Sequence, residues 1–172
     1  MKNCHRVLIS IVLPTAVSLA QAQAQAQAQQ NHPQYDAVWQ VITQFFDGIN
    51  TGNGELLASL QVDGARILNS REEQPGGYAL VQRDWFDADN FDGSSHFTER
   101  YWDEQLLVSA QLAVFWAPYD FYIDGEFSHC GIDVLNLIRK NGEWKIGHAM
   151  WTIQRSGCTP SPLGPLARET PQ

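Results

Sequence analysis

Four ionisable side chains fall close together in the last third of this 172-residue chain: Asp120, His129, Asp133 and His148. They lie in the run AVFWAPYDFYIDGEFSHCGIDVLNLIRKNGEWKIGHAMWTIQR, which is otherwise rich in aromatic and β-branched residues. A carboxyl group among apolar side chains loses hydration and keeps its proton to higher pH. It can then serve as a general base, or as a protonated donor near neutrality. An imidazole beside a carboxylate has its tautomer fixed and can relay a proton. Asp133, His129 and Asp120 are therefore the candidate catalytic residues, and the chemistry they suit is proton transfer without a cofactor. His129-Cys130 with His148 can be drawn as a metal site, but adjacent strand residues point to opposite faces, so no metal is expected. Phosphate-loop, dinucleotide, nucleophile-elbow and zinc-protease motifs are absent from the sequence.

The elements that must position these groups can be read from two turn dipeptides, Asp124-Gly125 and Asn141-Gly142. Both supply the positive φ angles that two-residue hairpin loops require, which predicts a three-strand antiparallel meander. Pairing counted outward from the turns sets Asp120 opposite His129, Trp116 opposite Asp133, Asp133 opposite Met150 and Leu135 opposite His148. One face then carries the acids and imidazoles among aliphatic residues, the layout of a small-molecule site. Trp116, Leu135, His148 and Met150, with Phe46 from a helix, are expected to touch the ligand. The other face gathers Phe115, Phe121, Ile132, Val134 and Trp151, too apolar to be left in water, and is expected to form a homodimer through the outside of the sheet. Pro118 is expected to mark a bulge or an edge.

Upstream, Tyr35, Val38, Ile42, Phe45, Phe46 and Ile49 recur at helical spacing and predict an amphipathic helix over 34–50. A short helix over 55–60, a strand over 65–69, a loop over 71–77 and a second helical stretch over 78–89 follow. Strands over 96–102 and 105–122 lead into the meander. Helices first and strands afterwards give an α+β class: N-terminal helices packed on a curved, mainly antiparallel sheet, a cone enclosing a pocket.

Lys2 and Arg6, an apolar run over 7–19 and small residues at Ser18 and Ala20 follow the order of a secretory signal peptide, assigned to 1–22. The Ala/Gln stretch over 23–33 is expected to be a low-complexity spacer, 34–158 a single domain, and the proline-rich 159–172 a disordered tail. Secretion or a periplasmic location follows, with no membrane contact after cleavage. The chain carries net charge −8, and losing Lys2 and Arg6 makes it more acidic still. Nucleic acid is thereby excluded as a partner. Only Cys130 and Cys158 would remain, and an oxidising compartment permits them to pair if the chain doubles back at Ser156-Gly157.

The stretches VITQFFDGINTGN and AVFWAPYDFYIDGEFSHCGIDVLNLIRKNGEWKI, with the closing Gly157-Cys158, resemble the nuclear transport factor 2-like superfamily, and within it the secreted polyketide-cyclase-like and lumazine-binding-like members. The resemblance implies a cone-shaped α+β fold, usually dimeric, hosting isomerases, cyclases, dehydratases and epoxide hydrolases as well as members without assigned activity. Three functions are consistent with the residues. The first is an exported binding protein for a small apolar or aromatic molecule. The others are a cofactor-free isomerase, cyclase or dehydratase, and a non-catalytic dimeric accessory domain.

Overall fold

The computed structural model describes residues 17–73, 76–84 and 94–166. Among these residues the chain forms α1 (Val17–Gln30), α2 (Tyr35–Asn50), α3 (Gly54–Ser59), β1 (Gln61–Glu73), β2 (Gly77–Asp84), β3 (Phe97–Tyr101), β4 (Gln105–Val108), β5 (Leu112–Ile123), β6 (Glu126–Lys140) and β7 (Glu143–Ile153). One sheet runs β2-β1-β7-β6-β5-β3, with β4 beside β5. All pairs are antiparallel except β1 with β7. This is the α+β cone that the residue pattern predicts.

The helix α2 buries Val38, Val41, Ile42, Phe45, Phe46 and Ile49 along one stripe, the side a 3.6-residue period must turn to the core. Its closed-end contacts are aromatic: Phe46 packs on Tyr101 and Phe115 at ring separations of 4.4 and 5.6 Å. The short α3 starts under an Asn53 cap, whose Oδ1 accepts from Leu56 N at 2.9 Å.

Both predicted hairpins form, and each contains one more residue than a plain ladder. Ile123–Glu126 and Tyr122–Phe127 pair as counted, but the next pair is Phe121–His129, so Ser128 is the extra residue of a bulge. In the second hairpin Leu137 pairs with Ile146 and Asn136 with His148, leaving Gly147 as the extra residue. A single inserted residue moves every later side chain of one strand to the opposite face of its partner's set. Inward positions are therefore Phe115, Ala117, Tyr119 and Phe121 on β5, His129, Asp133, Leu135 and Leu137 on β6, and Ala149, Trp151 and Ile153 on β7. Pro118 lies in register, opposite Ile132. It falls where the other neighbour of β5 changes from β4 (last pair Trp116–Gln105) to β3 (first pair Tyr119–Tyr101), a place where a missing N–H breaks no ladder bond.

Four upstream expectations change, the first being the loop expected over 71–77: β1 continues through Glu73 and β2 begins at Gly77. The Ala/Gln stretch is helical as α1, and Gln29 Oε1 accepts from Val108 N at the edge of β4 (2.6 Å); alanine and glutamine are good helix formers, which low apolar content does not cancel. Residues 78–84 are strand rather than helix, because Gly76 (φ 89°) closes a hairpin that pairs β2 along β1; the rest of that expected helix, 85–89, lies outside the described residues. The strand expected over 105–122 is two, β4 and β5, joined through Ser109. The leader expected over 1–22 falls mostly on undescribed residues, as do 167–172. Irregular chain over 159–166 is held where Arg100 Nη2 donates to Gly164 O at 3.0 Å.

Cys130 and Cys158 are joined in a disulfide across 28 residues. Gln154 exchanges backbone hydrogen bonds with Cys130, and Gly157 (φ 69°) turns the chain back toward it. Closing a loop of this length is worth roughly 3–4 kcal/mol on the chain-entropy estimate. Cys158→Ser should lower the free energy of unfolding by about that amount in urea titrations, and reduction of the unsubstituted protein should have the same effect.

Candidate functional site

Along β6 the inward side chains run Leu135, Asp133, Gly131, His129, and neighbouring strands extend this series sideways. Asn69 of β1, Trp151 of β7, Asp133 of β6 and Ala117 of β5 are successive cross-strand neighbours. A second row joins His129 to Phe121 and Glu99. Between these rows and α2 lies a cavity of about 380 Å³, bounded on the helix side by Phe45 and Ile49 and elsewhere by Phe97, Phe121, Leu135 and Trp151. Its volume and apolar walls are those of a small-molecule pocket.

The deepest polar feature is a pair of carboxyls. Asp133 is 5 % exposed and Glu99 is 7 % exposed, and the two side chains share a hydrogen bond. Loss of hydration pushes Glu99 up to about 7. Burial, then the neighbouring charge of Glu99, holds Asp133 well above the ordinary carboxylate range. Two buried carboxyls in hydrogen-bond contact cannot both ionise cheaply, so the pair retains a proton near neutrality. Glu99 is fixed by the end of α2: its N–H donates to Asn50 Oδ1 (2.6 Å) and its carbonyl accepts from Asn50 Nδ2 (3.1 Å).

Tyr119 crosses the sheet over Gly131 and donates its hydroxyl to the Thr152 carbonyl at 2.7 Å. A Cβ at 131 would run into that same carbonyl, so only glycine leaves room for the crossing. Burial, then the nearby Asp133 and Glu99, raises the Tyr119 hydroxyl above its usual value. His129 lies stacked on Phe121 (4.9 Å) with Nδ1 at 2.9 Å from Ser128 Oγ. Burial, then the charges of Arg155 and Arg71, lowers it to about 4, so its ring is neutral at physiological pH.

Among the described residues, the buried side-chain atoms left without a hydrogen-bond partner are Asn69 Oδ1, Arg71 Nε and Asp133 Oδ2. All three residues line this one cavity. Unsatisfied buried polar atoms are rare because each costs about 1–3 kcal/mol, and three around one void is the pattern of a site built for a polar partner.

The structure brings Asp133, His129 and Leu135 together and separates the other residues singled out from sequence. Asp120 lies on the outer face, opposite Cys130 rather than His129, in a two-pronged ion pair with Arg100 (Nε to Oδ1 2.9 Å, Nη2 to Oδ2 2.5 Å). Trp116 also faces outward, and His148 sits exposed between Arg66 and Asn136. Met150 borders the cavity, yet alternation turns its side chain outward. Phe46 is core, and its neighbour Phe45 supplies the wall instead. Each displacement on β5 and β7 has one cause, the inserted Ser128 or Gly147. The residues that sequence reasoning missed are Glu99, Tyr119, Asn69 and Arg71. A signal for Glu99 exists in Phe97-Thr98-Glu99-Arg100-Tyr101, where alternation places a carboxyl between two aromatic rings.

This open-ended curved sheet wrapped on α2, with the cavity inside, matches known folds. A conserved protein from Planctomyces limnophilus shares it at TM-score 0.53 and 14 % identity, over 68 % of this chain and 93 % of that one. The chain has the nuclear transport factor 2-like fold. Two further proteins with this fold are a provisionally assigned dehydratase from Streptomyces avermitilis (TM-score 0.52, 14 % identity, 69 % of this chain and 94 % of that one) and a provisionally assigned ketosteroid isomerase from Shewanella frigidimarina (0.50, 17 %, 67 % and 94 %). At these identities the nuclear transport factor 2-like fold is what is shared. No family model and no curated protein matches the sequence.

The carboxyl pair makes stability depend on pH with a definite sign. Glu99 and Asp133 bind protons more tightly folded than unfolded, so their contribution is fully present below about pH 4 and is lost as pH rises through about 7 and beyond. His129 acts oppositely, losing stability as pH falls from about 6.5 toward 4. Above about pH 7.5, where His129 is neutral in both states, stability should fall with a slope of up to about 1.4 kcal/mol per unit per proton. Urea titrations across that range should show the fall in the unsubstituted protein and a flatter profile in Asp133→Asn. Equal slopes would mean the pair does not hold the extra proton.

Proposed function

We propose that this protein is an exported small-molecule binding protein whose cone takes a ligand with an apolar or aromatic body and a hydrogen-bond donor. The carrying observation is the convergence of orphaned polar atoms on one apolar cavity. Asn69 Oδ1 and Asp133 Oδ2 are acceptors, and a ligand offering two N–H or O–H hydrogens, one to each, would satisfy both. Export rests on the Lys2, Arg6 and apolar 7–19 pattern at the start of the sequence.

A second reading is favoured by the Glu99–Asp133 pair: proton transfer of the isomerase, cyclase or dehydratase kind, the activities named provisionally for two proteins of the same fold. A carboxyl poised near neutrality in a dry pocket is what such a reaction asks of its base. In that case Asp133 would take or give the proton, Glu99 would hold its partner's charge in check, and the neutral His129 would steady a developing oxyanion. An accessory role without a ligand fits a cavity of this size poorly.

The outer sheet face supports the homodimer; Val134 stays on it as first assigned, while Leu68, Met150 and Trp116 stand where Phe115, Phe121 and Trp151 were expected. Leu68, Met150, Val134 and Trp116 are consecutive cross-strand neighbours there, with Trp116 at 36 % and Met150 at 41 % exposure. Such a row is shielded by a second copy related by a two-fold axis.

Two measurements test these readings. A ligand carried through native purification should be released on denaturation and seen by mass spectrometry. Asp133→Asn, which keeps shape, should lower affinity for it by no more than about tenfold while cutting any turnover by at least about a hundredfold. Unchanged turnover would remove Asp133 from the reaction. Light scattering at micromolar concentration should give twice the chain mass, and Trp116→Lys should halve it; a monomeric mass for the unsubstituted protein would end the dimer.

A further inference from the structure

The rim of the cavity is cationic on a protein that is strongly anionic. Of 11 basic residues against 19 acidic ones in the whole chain, Arg71 and Arg83 line the cavity, and Arg155 stands close enough to act on His129 by charge. Arg71 and Ile153 are cross-strand neighbours, as are Arg83 and Ile67, so β1, β2 and β7 bring the two guanidinium groups to one side of the pocket. Neither arginine belongs to an ion pair among the described residues. The buried carboxyls do not serve as their counter-ions: the causes that shift Glu99 and Asp133 are burial and each other, with no arginine among them. Burial, then the charge of Arg71, weakens the hold of Arg83 on its proton.

Two like charges bordering one cavity from adjacent strands, one with its Nε buried and unpaired, form a poor resting arrangement and a good anion site. Trp151 completes it. Arg83 lies over the Trp151 ring with its central carbon 5.7 Å from the ring centre, and the same ring borders the cavity. A ligand ring entering there meets an aromatic face while its charged group meets guanidinium N–H donors. We infer that the ligand is an aromatic or alicyclic monocarboxylate, its carboxylate held at the mouth by Arg71 and Arg83 and its apolar body directed toward Leu135 and Phe45. The assignment rests on the reading of the cavity as a ligand site, and it adds charge and orientation. Attraction at the mouth also offsets the long-range repulsion that an acidic protein exerts on an approaching anion.

Matched probes separate charge from shape. Phenylacetate and 1-naphthylacetate, with their neutral isosteres phenylacetamide and 1-naphthylacetamide, would be titrated calorimetrically into the full chain at neutral pH. Each acid should bind about tenfold more tightly than its amide, the advantage of a charge-assisted contact. Added salt should shrink that ratio. The Arg71→Gln/Arg83→Gln double variant should bring the ratio to about one by weakening the acids more than the amides. Arg83→Gln alone, at an exposed position, should reduce the ratio by about threefold, and it keeps the test available should the double variant fail to fold. Amides binding as tightly as acids would overturn the anion assignment and leave the cavity reading standing. An unchanged ratio in Arg83→Gln would overturn the placement of the carboxylate. No binding by any of the four probes at millimolar concentration would overturn both readings together.

Discussion

The placement of every group in this site depends on two single-residue insertions in the ladder of β6 with its neighbours. Ser128 and Gly147 each put one residue more on their own strand than the partner supplies, and strand side chains alternate with a period of two. Without Ser128, Phe121 and Tyr119 would turn out of the cone and Asp120 would turn in. Without Gly147, His148 and Met150 would replace Ala149 and Trp151. The bulges also add local twist and bend their strands, which lets the sheet curve around α2 rather than lie flat. Closure of the cone and the identity of its lining are thus two results of one geometric device.

That device allows two carboxyls to meet where neither would be stable alone. An isolated ionised carboxylate in an apolar interior is far too costly to persist, so burial selects the protonated form, and a second carboxyl at hydrogen-bond distance gives the retained proton an acceptor. The position is over-determined from both sides. Asn50 grips the Glu99 backbone at its N–H and its carbonyl, tying the end of α2 to β3, while the same helix presents Phe45 and Ile49 to the opposite wall. Tyr119 is locked over Gly131 by its bond to Thr152. Rigid support of this kind holds polar atoms unsatisfied in place; a loosely packed wall would collapse until they found partners.

Much of the architecture could be read from local signals. Turn chemistry at Asp124-Gly125 and Asn141-Gly142, helical spacing from Tyr35 to Ile49, and the order of elements all act over a few residues and all point one way. The inner face of β6 was legible too, because Asp133, His129 and Leu135 share parity on one strand whatever its neighbours do. Faces assigned across a hairpin were not, because parity between strands is lost at the first bulge; nothing in Phe127-Ser128-His129 announces an unpaired residue, and the glycine of Ile146-Gly147-His148 is a bulge signal that the pairing count passed over. The pairing of Glu99 with Asp133 was out of reach for a different reason. Glu99 comes from β3, which is joined to β6 only through β5, and its meeting with Asp133 is a fact of the assembled sheet. For 78–84 the short apolar spacing suited helix and strand alike, and the decision came from tertiary pairing along β1.

The distribution of charge inside the cone argues for an oriented occupant rather than a merely greasy one. Shielded acceptors and a proton-sharing carboxyl pair lie at the sheet's centre, while guanidinium groups without an ion pair among the described residues border the same space. A wholly apolar molecule would leave Asn69 Oδ1, Asp133 Oδ2 and Arg71 Nε as unsatisfied as they are in its absence, adding area burial but relieving none of their cost. Water could meet single atoms, yet it carries no charge to set between the arginines. A molecule with two donor hydrogens at one end, an apolar middle and an anion at the other relieves all three atoms at once. The same orientation would bring its inner end against the carboxyl pair, so binding and proton transfer at this site use one geometry, and a variant that spoils the arginine contact would misplace the reacting end as well.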